Sequence, residues 1–223
     1  MSTASSLNTP SMAGPTPKSL DDTPPHNSAP SQSAPDVGRP GDKFLLVFIL
    51  VYVLLMPVAS ALTRPTGYFS LFLDQVYGPR DTQSILMVVG LAAFHTYSFS
   101  AVVSVYGQSS HPGGYQVRSP RLVKSQLRGL PHRLVATHEA LMDVFPLLGT
   151  TAAFVLATHS LAKNTTGSPS VTLIDGLFLY AFVKHILYYI VYLADIPDLR
   201  SPLHTFSVSA LLSVLYELYR GSA

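Results

Sequence analysis

Arg133, Ala136, Ala140 and Asp143 follow one another at intervals of three, four and three residues in the stretch RLVATHEALMDVFP. On a helix this spacing lines a cation, two small residues and an anion along one stripe. Glu139 lies one turn before Asp143 on nearly the same face, and His138 lies off the stripe. A second set comes later in the chain: His185, Tyr188 and Tyr192 are three and four residues apart, Lys184 sits beside them, and Asp195 continues past the helix. In IPDLRSP, Pro197 ends that segment and Arg200 stands at the start of the next. Guanidinium groups recognise anions, and small residues let helices approach closely. The chemistry these types suggest is anion binding on an interior polar surface.

Whether that surface is interior depends on the surrounding elements. The chain has 223 residues, 48% hydrophobic and only 12% charged, and the apolar residues are concentrated in runs, which points to an integral membrane protein. A net charge of +2 with dispersed basic residues does not make a nucleic-acid surface. With no cysteine there are no disulfides and no thiolate ligands, so any thiol in the chemistry comes from a ligand.

Five apolar stretches approach the length of about 20 residues that spans a bilayer. They run from Phe44 to Leu62, Ser84 to Tyr106, Gly129 to His159, Val171 to Leu193 and Pro202 to Tyr219. The third is longer than a minimal span, which implies tilt or protrusion, and Pro146 is placed to kink it just past Asp143. Ionisable residues in such spans turn toward the bundle or a wet cavity, because facing lipid is expensive. Residues 1–42, rich in Ser, Pro, Thr and Ala, read as a disordered tail. The first span reads as an uncleaved signal anchor, although Ala59-Ser60-Ala61 resembles a signal-peptidase site.

Arg118, Arg121, Lys124 and Arg128 lie between the second and third spans, so the positive-inside rule makes the 107–128 loop cytoplasmic. The loops around 63–83 and 160–170 then face the other side, where Asn164-Thr165-Thr166 is a glycosylation sequon.

The run SPRLVKSQLRGLPHRLVATHEALMDVFP, followed later by YYIVYLADIPDLRS, resembles the MAPEG superfamily, membrane-associated proteins in eicosanoid and glutathione metabolism, and within it the bacterial and fungal MAPEG-like branch. The matching positions are Ser119-Pro120-Arg121, Gly129, Arg133, His138, Asp143, Pro146, Tyr192-Leu193-Ala194-Asp195 and Leu199-Arg200-Ser201, within a resemblance covering about residues 84–220. It implies an all-α integral membrane four-helix bundle over residues 84–223, with residues 43–83 adding one N-terminal transmembrane helix and its loop. It also implies a homotrimer in the endoplasmic reticulum or another internal membrane, with glutathione as co-substrate held between subunits near the cytoplasmic side. Carried across, Arg133, Asp143, Tyr188 and Tyr192 line the glutathione site, with His185 and His138 beside them, and Arg200 stabilises the thiolate that attacks a lipophilic electrophile.

The sequence departs from the family pattern at three points. Ala140 stands where an Asn is expected, Asp143 where Glu is usual, and His185 where an Arg is common. Three readings follow: a glutathione-dependent transferase or peroxidase, a divergent non-catalytic scaffold or binder of another small ligand, and a small transporter or channel using Glu139, Asp143, Lys184 and His185. Each site residue also has a structural reading. Arg133 and Asp143 can serve bundle contacts, Tyr188 and Tyr192 packing, His138 a buried hydrogen bond, and Arg200 a juxtamembrane charge.

Overall fold

The computed structural model describes residues 41–110, 124–162 and 171–221. Residues 1–40 of the tail, Arg118, Ser119-Pro120-Arg121, Lys163 and the Asn164 sequon lie outside the described residues. The main helices are α1 (Gly41–Thr63), α2 (Tyr68–Val76), α3 (Thr82–Ser109), α4 (Gly129–Met142), α5 (Phe145–Ala162), α6 (Val171–Leu193) and α7 (Pro197–Gly221). No strand occurs among the described residues, and the all-helical membrane bundle expected from the sequence is what forms.

Three helical runs are long and apolar enough to cross a membrane: α3, the α4–α5 run over Gly129–Thr158, and α6. A fourth is available if α1 and α2, bent by 43° across a short break, act together as one span. The chain is therefore an integral membrane protein. Helix α7 is not apolar enough to join them, because serine, threonine and ionisable side chains interrupt its apolar residues. It is placed inside the bundle instead, against α1, α5 and α6, where Thr205, Ser207, Ser209 and Ser213 are buried. Their hydroxyls donate to carbonyls of their own helix, and Ser209 also donates to Tyr52 O of α1 at 3.2 Å. Small hydroxylated residues thus bring helices together without leaving polar groups unpaired.

The apolar core lies toward one end of the bundle. Ile85 of α3, Leu148 and Val155 of α5, Ile174, Leu177 and Tyr180 of α6, and Leu211 of α7 are fully buried there. Helices α6 and α7 approach closely at Gly176, where an added Cβ would stand 2.2 Å from Val214 Cγ2. The start of α3 is closed by a capping box: Ser84 N–H donates to Asp81 Oδ1 and Asp81 N–H to Ser84 Oγ, both at 3.0 Å. The Ser84 backbone N–H, the largest influence, holds the Asp81 carboxyl below its usual range.

Two features go beyond the sequence expectations. The segment read as a plain loop at 63–83 contains α2, whose Ser70 and Leu73 turn inward. It is tied down by Arg80, whose side chain is 1% exposed, ion-pairs with the fully buried Asp175 of α6 and with Asp74 at 2.7 Å, and donates a hydrogen bond to Ser70 Oγ at 3.3 Å. Secondly, α3 and α6 each contain a π-helical segment, His95–Phe99 and Phe182–Leu187. A π segment widens the turn and re-aims the side chains that follow it.

Candidate functional site

Helix α6 ends in a Schellman motif: Ile196 N–H donates to Val191 O at 3.1 Å and Asp195 N–H to Tyr192 O at 3.3 Å. The residue at its left-handed position is usually glycine, but here it is Asp195, with φ of 60°. Short polar residues tolerate that conformation better than others, at a cost in backbone strain. The conformation carries the Asp195 carboxylate between two helices. Arg133 Nη1 of α4 meets its Oδ2 at 2.6 Å, and Arg200 of α7 ion-pairs with its Oδ1.

The corner these three residues form is partly open to solvent, the two arginine side chains being 22% and 24% exposed and Asp195 55%. The Arg200 guanidinium also lies over the Tyr192 ring, 4.4 Å from its centroid, an arrangement in which a planar cation meets the electron-rich face. Both Arg133 Nε and Arg200 Nε are buried with no hydrogen-bond partner. Two cations thus share one anion and keep two unused donors.

From this corner a line of aromatic and ionisable groups leads into the bundle. Tyr192 packs on Tyr188 with centroids 5.5 Å apart, and Lys184 Nζ lies 3.8 Å from the Tyr188 ring centroid. Lys184 is fully buried and its Nζ stands 2.9 Å from His204 Nδ1 of α7. Asp143, an exposed residue at the end of α4, is near enough for its charge to act on both Lys184 and His204. The helical run breaks at Asp143 and Val144, just before Pro146, as its position suggested.

Of the residues singled out from sequence, Arg133, Arg200, Tyr188 and Tyr192 come together, with Asp143 nearby. His138 turns instead to α3, where its Nδ1 is 2.9 Å from Ser100 Oγ. Glu139 ion-pairs with Lys124 in the segment before α4. His185 faces α3 as well, with its Nδ1 3.2 Å from His95 Nδ1. On α6 Lys184, four residues before Tyr188, keeps the shared face that helical spacing gives it, while the wider turn of the π segment carries His185 away from Tyr188 toward α3. Lys184 and Asp195 were noted beside the second polar set without a site role, and His204 was not singled out. Asp195 had the best available signal, a polar residue between the end of one helix and the proline opening the next.

The corner can hold an anion, and the inward track offers aromatic faces and a carboxylate for other parts of a ligand. No curated protein and no solved structure matches this chain. The MAPEG family model matches residues 85–219, the region from α3 to α7 that contains every residue of the corner and of the track. The chain belongs to the MAPEG family.

Proposed function

We propose that this protein is a glutathione-dependent transferase or peroxidase acting on a lipophilic electrophile, working as a homotrimer in the endoplasmic reticulum or another internal membrane. The observation that carries the reading is the Arg133–Asp195–Arg200 corner, with two guanidiniums on one carboxylate and two buried Nε–H groups unpaired. A peptide bearing carboxylates and a thiol supplies the acceptors that such donors lack. Arg133 would bind a carboxylate of the peptide, Asp143 an ammonium, and Tyr188 and Tyr192 would line its backbone. Arg200 would lie beside the sulfur, where its charge favours the thiolate. The thiolate supplies the nucleophile, and the bilayer delivers the electrophile to it.

Calorimetry on the detergent-purified oligomer tests the reading. Glutathione is expected to bind saturably, and Arg200→Ala to weaken binding about 10- to 100-fold, the loss of a charge-assisted hydrogen bond. No binding at millimolar glutathione by a folded oligomer overturns it.

A second reading, a non-catalytic scaffold or binder of another small ligand, is favoured by the same corner in one respect. Asp195 already engages both guanidiniums, and Ala140 brings no amide to the α4 stripe. Oligomers that persist without thiol binding or conjugation of electrophiles would select it.

A further inference from the structure

The two π segments face each other, and a cavity of about 390 Å³ lies beside them between α2, α3 and α6. Its walls are almost wholly apolar, with Phe69, Leu91, Phe178 and Phe182 among them, and its polar groups are His95 and His185. Leu91 and Phe94, both exposed on a membrane-length helix, stand at the cavity and open it toward the hydrocarbon layer. The volume is that of a small-molecule site rather than a packing defect.

The histidine pair defines what fits. His185 is 7% exposed, and its Nε2 is buried with no hydrogen-bond partner. Two neutral imidazoles carry two N–H groups and two bare nitrogens, and the Nδ1 contact of 3.2 Å uses one of each. What remains on the two Nε2 atoms is one donor and one acceptor, whichever way the shared proton points. A hydroxyl group, being both donor and acceptor, can pair with an Nε2 in either state.

Depth narrows the class further. His95 lies thirteen residues beyond Thr82 in α3, a rise of about 20 Å along a helix about 42 Å long. The pair therefore sits near the middle of the bilayer, out of reach of a phospholipid head group, and a charged head would be expensive to hold there.

We propose that this cavity is a binding site for a neutral, hydroxyl-bearing lipophile, a long-chain alcohol taken directly from the membrane. The site is separate from the arginine corner. Lys184, the nearest cation in sequence, turns to His204 on the other side of α6 and does not line the cavity. The proposal does not depend on glutathione chemistry.

The full-length protein in detergent micelles would be labelled with a dodecanol carrying a diazirine, with dodecanol, dodecane and dodecanoic acid as competitors. Saturable labelling that maps to α3 and α6 is expected, with dodecanol competing roughly fivefold better than dodecane, the advantage of one hydrogen bond. His185→Phe is expected to remove the preference for alcohol over alkane while leaving saturable labelling in place. Ala181→Phe fills the cavity while both histidines stay in the chain, and is expected to abolish saturable labelling. Equal competition by alcohol and alkane in the wild type, labelling that never saturates, or better competition by the acid overturns the proposal. So does saturable labelling that survives Ala181→Phe. Glutathione calorimetry on the same samples reads the arginine corner independently, so the two proposals can fail separately.

Discussion

At the residue scale, two ion-pair centres of similar composition have opposite energetics. Arg80 and Asp175 are withdrawn from solvent, 1% and 0% exposed, so removing one partner strands the other in a medium that solvates it poorly. Asp175→Ala is expected to cost about 3 kcal/mol, moderated by Asp74, in a denaturation titration of the detergent-solubilised protein. The double variant Arg80→Met/Asp175→Leu is expected to cost less than the single one, because no uncompensated charge remains. Asp195 is half exposed, and its ion pairs with Arg133 and Arg200 contribute at most about 1 kcal/mol each. Asp195→Gly also relieves the left-handed backbone, so stability is expected to change by no more than about 1 kcal/mol in the same titration. If the corner is an anion site, the variant binds glutathione more tightly, since the internal carboxylate no longer competes for both guanidiniums. One centre maintains the fold, and the other keeps its cations accessible.

At the element scale, the contact between α6 and α7 decides how the site closes, because Lys184 and Tyr188 come from one helix and His204 and Arg200 from the other. Gly176 permits this approach. Gly176→Ala would press a methyl against the stiff, 2% exposed Val214, and is expected to destabilise by about 1–3 kcal/mol, with Val214→Ala restoring part of the loss in the double variant. The membrane-length helices were legible because an apolar run of span length, nearly free of charge, suits a bilayer and little else. Helix α2 was not, since the ion pairs that tie it down come from Arg80 beyond its end and from Asp175 a hundred residues on. The π segments were also hidden, because nothing in HTYSF or FVKHIL marks them. The three- and four-residue spacing therefore grouped His185 with Tyr188 and Tyr192, while the folded chain turns His185 to His95 and leaves Lys184, four residues before Tyr188, beside that ring. Arg133, Arg200, Tyr188 and Tyr192 were legible because their relation rests on helix ends and on spacings outside the π segment.

At the scale of the whole molecule, function depends on which side of the membrane the arginine corner faces. The corner lies where α4 begins and where α6 turns into α7, the bundle end next to Lys124 and Arg128, whereas the Arg80–Asp175 pair lies where α3 and α6 begin. By the positive-inside rule the basic residues before α4 are expected to put the corner in the cytoplasm, the compartment in which glutathione keeps thiols reduced. A cysteine-free chain makes the test clean, since each introduced cysteine is the sole thiol. Gln126, exposed just before α4, and Gln75, exposed on α2, are expected on opposite sides. In sealed microsomal vesicles, whose outer face is cytoplasmic, Gln126→Cys should react at once with a membrane-impermeant maleimide, and Gln75→Cys only after the vesicles are permeabilised. The reverse pattern would place Arg133 and Arg200 on the side away from the cytosolic glutathione pool. The corner would then have to serve a different anion, whatever its affinity for glutathione in detergent.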